Sequence, residues 1–339
     1  MDLDAYTAAH RDEWERLDEL ARRGRLDGVE ADELIDRYQT GASQLSAIKT
    51  VAGSTRTGDR LSVTLSRARG RFTAASGNAL ALLPRFFVLQ LPAALYRLRW
   101  LTLAVALATA IVALLYGFWA GNDPRVLANF GSDRQLSQMA NDQFIAYYSE
   151  NPAASFAGRV WTNNAFIAAQ CVAFGITGVW VPYVVLQNAQ NLGVTGAVMF
   201  AYDKGDAFFL FIAPHGQLEL TSIFVAAAAG LRIFWAWIAP GRFTRLESLA
   251  REGRALVTVA IGLVIALFVS GIIEGFVTPW PLQEQLAPWL GWSIKIGIGS
   301  LALAAFLCYM LVVGGRAYRA GETGDLTEFE AGAQRLTAA

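Results

Sequence analysis

The stretch Ala213–Arg242, APHGQLELTSIFVAAAAGLRIFWAWIAPGR, decides the fold class. A polar knot of Pro214, His215, Gly216, Gln217 and Glu219 opens an apolar run that stops at Pro240. Between Leu218 and Ala239 only Glu219 and Arg232 carry charge, and the run is as long as a bilayer crossing needs, roughly 20 residues. An ionisable group at membrane depth is costly and persists where it has a partner or a task. The knot is therefore the leading functional candidate.

Composition agrees. The 339 residues are 54% hydrophobic and 17% charged, with mean hydropathy +0.36, against roughly 25% charge in soluble domains. The expected fold class is all-α: a polytopic membrane helical bundle of about six transmembrane helices, with a small N-terminal soluble helical region and an interfacial elbow helix. Lys+Arg and Asp+Glu both number 28, so net charge gives no reason to expect a nucleic-acid partner. Cys171 and Cys308 lie inside apolar stretches, which argues against a disulfide framework or a zinc site. The N-terminus, MDLDAYTAAHRDEWERLDEL, lacks the basic start and apolar core of a secretory signal.

Residues 1–77 read as a cytoplasmic region of three amphipathic helices, separated at Arg23–Gly28 and Gly53–Gly58. Residues 78–100 mix Arg85, Arg97 and Arg99 with Phe86, Phe87, Tyr96 and Trp100, the pattern of a helix lying in the interface. The transmembrane bundle is expected over 101–315, with spans at about 101–120, 165–186, 194–214, 218–239, 255–277 and 292–313, and a cytoplasmic tail over 316–339. A polar loop, Gly121–Trp161, carries a short amphipathic helix near Asp133–Tyr148. The 194–214 span is interrupted by Asp203, Lys204 and Asp206; counting it as a crossing keeps Arg242, Arg245, Arg251, Arg254, Arg316 and Arg319 on the cytoplasmic side. Both termini then face the cytoplasm of a bacterial cell, with the protein multi-pass in its cytoplasmic (inner) membrane.

This orientation puts Asn163, Asn164, His215, Glu219, Glu274 and Lys295 at one level in the outer half of the bundle. They are expected to form a polar cluster, with Glu219 or Glu274 paired to Lys295. Such groups either hydrogen-bond to one another and pin helices together or handle a proton or substrate. Deeper, Arg232 is expected to form an intramembrane ion pair with Asp203 or Asp206 across a hairpin. No metal site is expected, because His215 followed by Gly216 lacks the two-histidine spacing of a zinc helix. No cofactor and no catalytic residues are expected either.

Asn163 and Asn164 open a span containing Gly175 and Gly178; Asn191 and Gly193 follow. Then come Pro214, His215, Gly216, Glu219 and Leu220, then Gly230, Leu231 and Arg232, and Glu274, Gly275 and Phe276. Together these residues resemble the stage II sporulation protein M family over about Asn163–Pro281. The resemblance implies an integral membrane protein, not itself an enzyme, whose sporulation member works in engulfment beside peptidoglycan-degrading partners. The N-terminal helices look like those of a longer, actinobacterial-type branch.

The leading expectation is a non-catalytic scaffold or assembly factor linked to cell-envelope and peptidoglycan remodelling. Its expected partners are the lipid bilayer and membrane or cell-wall enzymes, with a homo-oligomer open. The alternative is a permease-like subunit of a transporter energised by a separate ATPase, since no Gly-rich phosphate loop is present. An intramembrane hydrolase using His215 with Glu219 or Glu274 lacks a convincing nucleophile, Ser222 being merely nearby.

Overall fold

The computed structural model describes residues 3–24, 26–53, 55–73, 83–148 and 152–325. It divides at residue 82/83 into two compact units, and all regular structure among the described residues is helical.

The N-terminal unit is a three-helix bundle: α1 (Leu3–Arg22), α2 (Gly28–Ala52) and α3 (Arg56–Thr73). The breaks fall where the sequence reading puts them. Asp27 caps α2 in a reciprocal box with Glu30, which supplies partners for amide groups a helix start leaves free. Apolar residues three and four apart then converge: Leu17, Leu20, Leu34, Ile48, Leu61, Leu65 and Ala68 form the core. The buried Gln44 accepts from Trp14 Nε1 at 2.6 Å and donates to Glu13 at 2.7 Å, tying α1 to α2.

The second unit holds six long helices: α4 (Leu83–Asn122), α5 (Ala153–Ala173), α6 (Trp180–Ala201), α7 (Gly205–Ile238), α8 (Arg245–Val277) and α9 (Pro288–Arg319). Four of them, α4, α7, α8 and α9, are long and apolar enough to cross a membrane. The surfaces of these helices are inverted relative to a soluble protein. On α4, Thr102 and Thr109 are buried, while Leu107, Ile111, Leu114 and Phe118 are more than half exposed. A soluble chain rarely leaves such a large apolar patch open; a bilayer covers it.

Several expected boundaries move. The span expected over 165–186 is two helices, because α5 ends at Ala173 and α6 starts at Trp180. Gly178 between them is left-handed (φ 74°), with the Phe234 ring where a side chain would sit. The span expected over 194–214 is likewise divided. Asp203 and Lys204 form a tight turn after α6, Asp203 adopts a left-handed backbone (φ 56°), and α7 begins at Gly205 and continues through Pro214 to Ile238. Of the polar residues that seem to interrupt a span, Asp203 and Lys204 thus sit between two helices and Asp206 in the first turn of α7. The elbow is not a separate segment: α4 runs unbroken from Leu83 to Asn122, and Leu91, Leu95 and Leu98 are in the core. Residues 78–82 of that expected elbow, and 326–339 of the expected tail, lie outside the described residues. The tail's start packs back instead of trailing: Arg97 donates to Thr323 O at 2.8 Å and Arg254 pairs with Asp325.

The short connections make successive helices antiparallel, and close approaches fix the rest. Asn164 reaches Glu219, and seven residues on Cys171 packs against Gly230, so α5 and α7 run parallel. Phe211 meets the Trp292 ring edge-on and Gln217 bonds Ser300, so α7 and α9 run parallel too. Leu98 and Ala229 line one cavity and Gly117 and Phe208 another, the order expected where α4 runs antiparallel to α7. Backbones meet where both sides are small: Gly299 at the Pro214 carbonyl, Gly230 at that of Cys171, Gly193 at that of Ala113. Small residues at such crossings are how helices approach closely in lipid.

Candidate functional site: a buried polar cluster on three helices

The cluster begins with α7. His215 and Glu219 are four residues apart, so both point along one helix face. That face meets the end of α8, where the last turn, Ile273–Val277, widens into a π-helix. The widened turn lets the Thr278 amide reach back to Ile273 O at 2.9 Å, and Glu274 and Thr278 both meet His215. Widened turns of this kind recur at functional sites.

His215 is buried, with Nδ1 3.2 Å from Thr278 Oγ1 and Nε2 3.8 Å from Glu274 Oε2. Its carbonyl accepts a hydrogen bond from Ser270 Oγ at 3.1 Å. The carboxyls of Glu219 and Glu274 stand beside each other, and the Asn164 side chain on α5 is close to Glu219. Ligand atoms of His215, Glu219 and Glu274 all lie within 4.8 Å of one another. Glu219 Oε2 is buried without a hydrogen-bond partner. Beside the cluster stands Tyr148, its ring 5.9 Å from His215 and itself packed on Phe156 and Phe211.

Of the six residues expected in the cluster, four come together: Asn164, His215, Glu219 and Glu274. Asn163 does not join them. It is exposed while Asn164 is buried, because neighbours on a helix point about 100° apart. Lys295, fully buried, approaches the group but not as a counter-ion. Its Nζ donates to the Thr278 carbonyl at 2.7 Å and lies 4.1 Å from the Trp292 ring centre. The expected pairing of Lys295 with Glu219 or Glu274 is therefore replaced by a bond to backbone.

The expected pairing of Arg232 with Asp203 or Asp206 is also replaced. Arg232 and Asp206 stand near opposite ends of α7, and a helix of that length spans roughly 50 Å. Arg232 instead bonds Glu252 on α8 at 3.1 and 3.2 Å, and Glu252 also takes Arg97 at 2.5 Å. Asp203 and Asp206 are exposed.

Sequence reading missed Thr278, Ser270, Tyr148 and Glu252. Thr278 follows Glu274 by four residues, a helical spacing that could have singled it out. Glu252 is an acid among Arg242, Arg245, Arg251 and Arg254, and only the arginines were weighed. Tyr148 gives no such signal, since it lies in a polar loop whose path is set by tertiary packing.

The same helices carry the comparison with known proteins. A model described as Stage II sporulation protein M matches residues 104–279, just over half of the chain. The chain belongs to the stage II sporulation protein M family. The family region spans the second half of α4 and all of α5, α6, α7 and α8, and it contains Asn164, His215, Glu219, Glu274 and Thr278 but not Lys295. A second model, a domain of unknown function (DUF8413), matches residues 4–74, the three-helix bundle. No curated protein and no solved structure matches the chain.

Proposed function

We propose that this chain is a non-catalytic membrane scaffold of the bacterial cytoplasmic membrane, one that holds or positions cell-envelope and peptidoglycan-remodelling partners. In this reading α4 to α9 each cross the bilayer once, six crossings in all, with both termini cytoplasmic. The turns at 174–179 and 239–244 then face inward, and those at 202–204 and 278–287 face outward. The helices α5 and α6 have 21 and 22 residues, enough to span a core of roughly 30 Å at 1.5 Å per residue. Parallel α5, α7 and α9 are what alternate crossings require. The arginines of the 239–254 segment then lie inside, as positive charge near spans does.

One observation carries the scaffold reading: hydrogen bonds between polar groups tie three of the long helices to one another. Ser270 bonds the His215 carbonyl, Lys295 the Thr278 carbonyl, and Gln217 exchanges hydrogen bonds with Ser300. Such bonds fix α7, α8 and α9 as a rigid body, each adding about 1 kcal/mol or less. A permease-like subunit would instead hold water between these groups. The apolar groove of about 730 Å³ walled by Leu114, Phe118, Leu192 and Phe200 involves none of them.

The test is recovery of the full-length protein from envelopes in mild detergent, with partners identified by mass spectrometry. Co-purification of cell-wall enzymes, with uptake and resistance unchanged in a Glu274→Gln variant at normal protein level, is the expected result. A protein recovered alone, or a flux abolished by that variant, would contradict the proposal.

A further inference from the structure

We propose that His215, Glu219 and Glu274 form a binding site for one divalent transition-metal ion, zinc by their donor chemistry, clamping α7 to α8. The sequence spacing offers no such site because it considers one helix alone. The fold supplies the third ligand from another helix, and the three donor atoms converge to within 4.8 Å. Two ligands of a zinc ion, each about 2.0–2.2 Å from the metal, stand roughly 3.4 Å apart in a tetrahedron. Side-chain shifts of about 1 Å would close the site.

Three features point to a cation and not to a self-sufficient hydrogen-bonded knot. The first is charge. Two carboxyls face each other here, and the nearest buried cation, Lys295, is committed to the Thr278 carbonyl. The second is Glu219 Oε2, a buried acceptor with no donor; buried polar atoms ordinarily find a partner. The third is the imidazole. Its Nε2 is 3.8 Å from Glu274 Oε2, too far for a hydrogen bond but a distance two ligands of one ion can have.

Thr278 would orient the ring. Its hydroxyl can donate to Ile273 O at 3.4 Å and accept from His215 Nδ1–H at 3.2 Å, leaving the Nε2 lone pair aimed at the carboxylates. A second partner on the far ring nitrogen is the usual support of a metal-bound histidine. The side-chain amide of Asn164, a donor to Glu219, would hold that carboxylate in place and add α5 to the clamp. On binding, M²⁺ takes the Nε2 lone pair and both carboxylates, and any proton on a carboxyl leaves to solvent. This inference does not depend on the scaffold reading: a metal clamp would serve a transporter equally well.

The test uses the full-length protein, freed of any histidine tag, in detergent micelles. Zinc alone is titrated against a chromophoric chelator, and bound metal is counted by elemental analysis. The expected result is one zinc per chain, with affinity reduced at least tenfold in His215→Gln, Glu219→Gln and Glu274→Gln, and unchanged in the exposed Asn163→Ala. In case the variants fold poorly, Co²⁺ is added to the unmodified protein. A visible absorption band that zinc abolishes supports the site. No zinc above background, equal affinity in the variants, or no cobalt band would each overturn it.

Discussion

Lys295 Nζ donates to the backbone carbonyl of Thr278 at 2.7 Å and leaves the Glu274 carboxyl, four residues earlier, without a lysine partner. The cation thus ties α9 to the end of α8 through main chain, and the carboxyls are left to His215, Asn164 and each other. Lys295→Met should lower thermal stability by about 1–3 kcal/mol, the cost of stranding a buried acceptor. Combined with Glu274→Gln, the two effects should couple only weakly, by about 0.5–1 kcal/mol, through the network they share at Thr278 and His215. A large coupling energy in that cycle would mean that lysine and carboxyl act as an ion pair after all.

Glu252 takes two arginines from two helices, and their exposure ranks them. The Arg97 side chain is 16% exposed and that of Arg232 43%. An exposed pair contributes little, about 0–1 kcal/mol, whereas removing the partner of a buried charge is costly. Glu252→Ala should therefore reduce protein level or melting temperature more than Arg232→Ala does, with Arg97→Ala between or equal to the former. Arg232→Asp should not be rescued by Asp203→Arg or Asp206→Arg, and rescue by either would contradict the helix arrangement.

Close crossings should be intolerant of a single methyl group. At Gly299 and Gly230 an added Cβ would meet backbone of Pro214 and Cys171, while at Gly297 there is open space. Gly299→Ala and Gly230→Ala should each destabilise by roughly 1–3 kcal/mol through overpacking. Gly297→Ala should be neutral or slightly stabilising, since it removes glycine from a helix interior. Melting curves of the three purified variants decide this. Equal behaviour of all three would show that these crossings are looser than described.

In the N-terminal bundle, hydrogen bonds from Arg16 and then Arg37 lower the Glu33 carboxyl from 4.5 to about 2. A carboxyl whose folded value is depressed stabilises the fold fully above its unfolded value. That contribution fades as pH falls from about 4.5 toward 2. Hydrogen exchange over α1 and α2 should therefore speed up, relative to intrinsic rates, across that window, and less steeply in Glu33→Gln. The same pH dependence in both proteins would remove Glu33 as the cause.

How far the sequence is legible depends on what sets each feature. The breaks of the N-terminal bundle follow from local chemistry, the Asp27 cap and the glycine at 53, and are readable directly. The membrane class follows from long apolar runs, readable for the same reason. The turns at 174–179 and 202–204 are not, because hydropathy averages over them. Gly178 reads as one more small residue until Phe234 is seen beside it, and Asp203 as an intruder in a span until the chain is seen to turn there. Depth predicted which polar residues could meet, and four of the expected six do. Lys295 and Arg232 took partners that charge alone does not name, a carbonyl in one case and an acid inside an arginine-rich link in the other.

The most direct test of the membrane arrangement is labelling of single cysteines by an impermeant maleimide on intact cells, in a background with Cys171 and Cys308 replaced. Asp206→Cys and Glu284→Cys should label from outside, while Ile176→Cys and Arg242→Cys should label only after permeabilisation. If Asp206→Cys stays silent from outside, or Ile176→Cys reacts there, the six-crossing bundle with its turns at 174–179 and 202–204 is wrong.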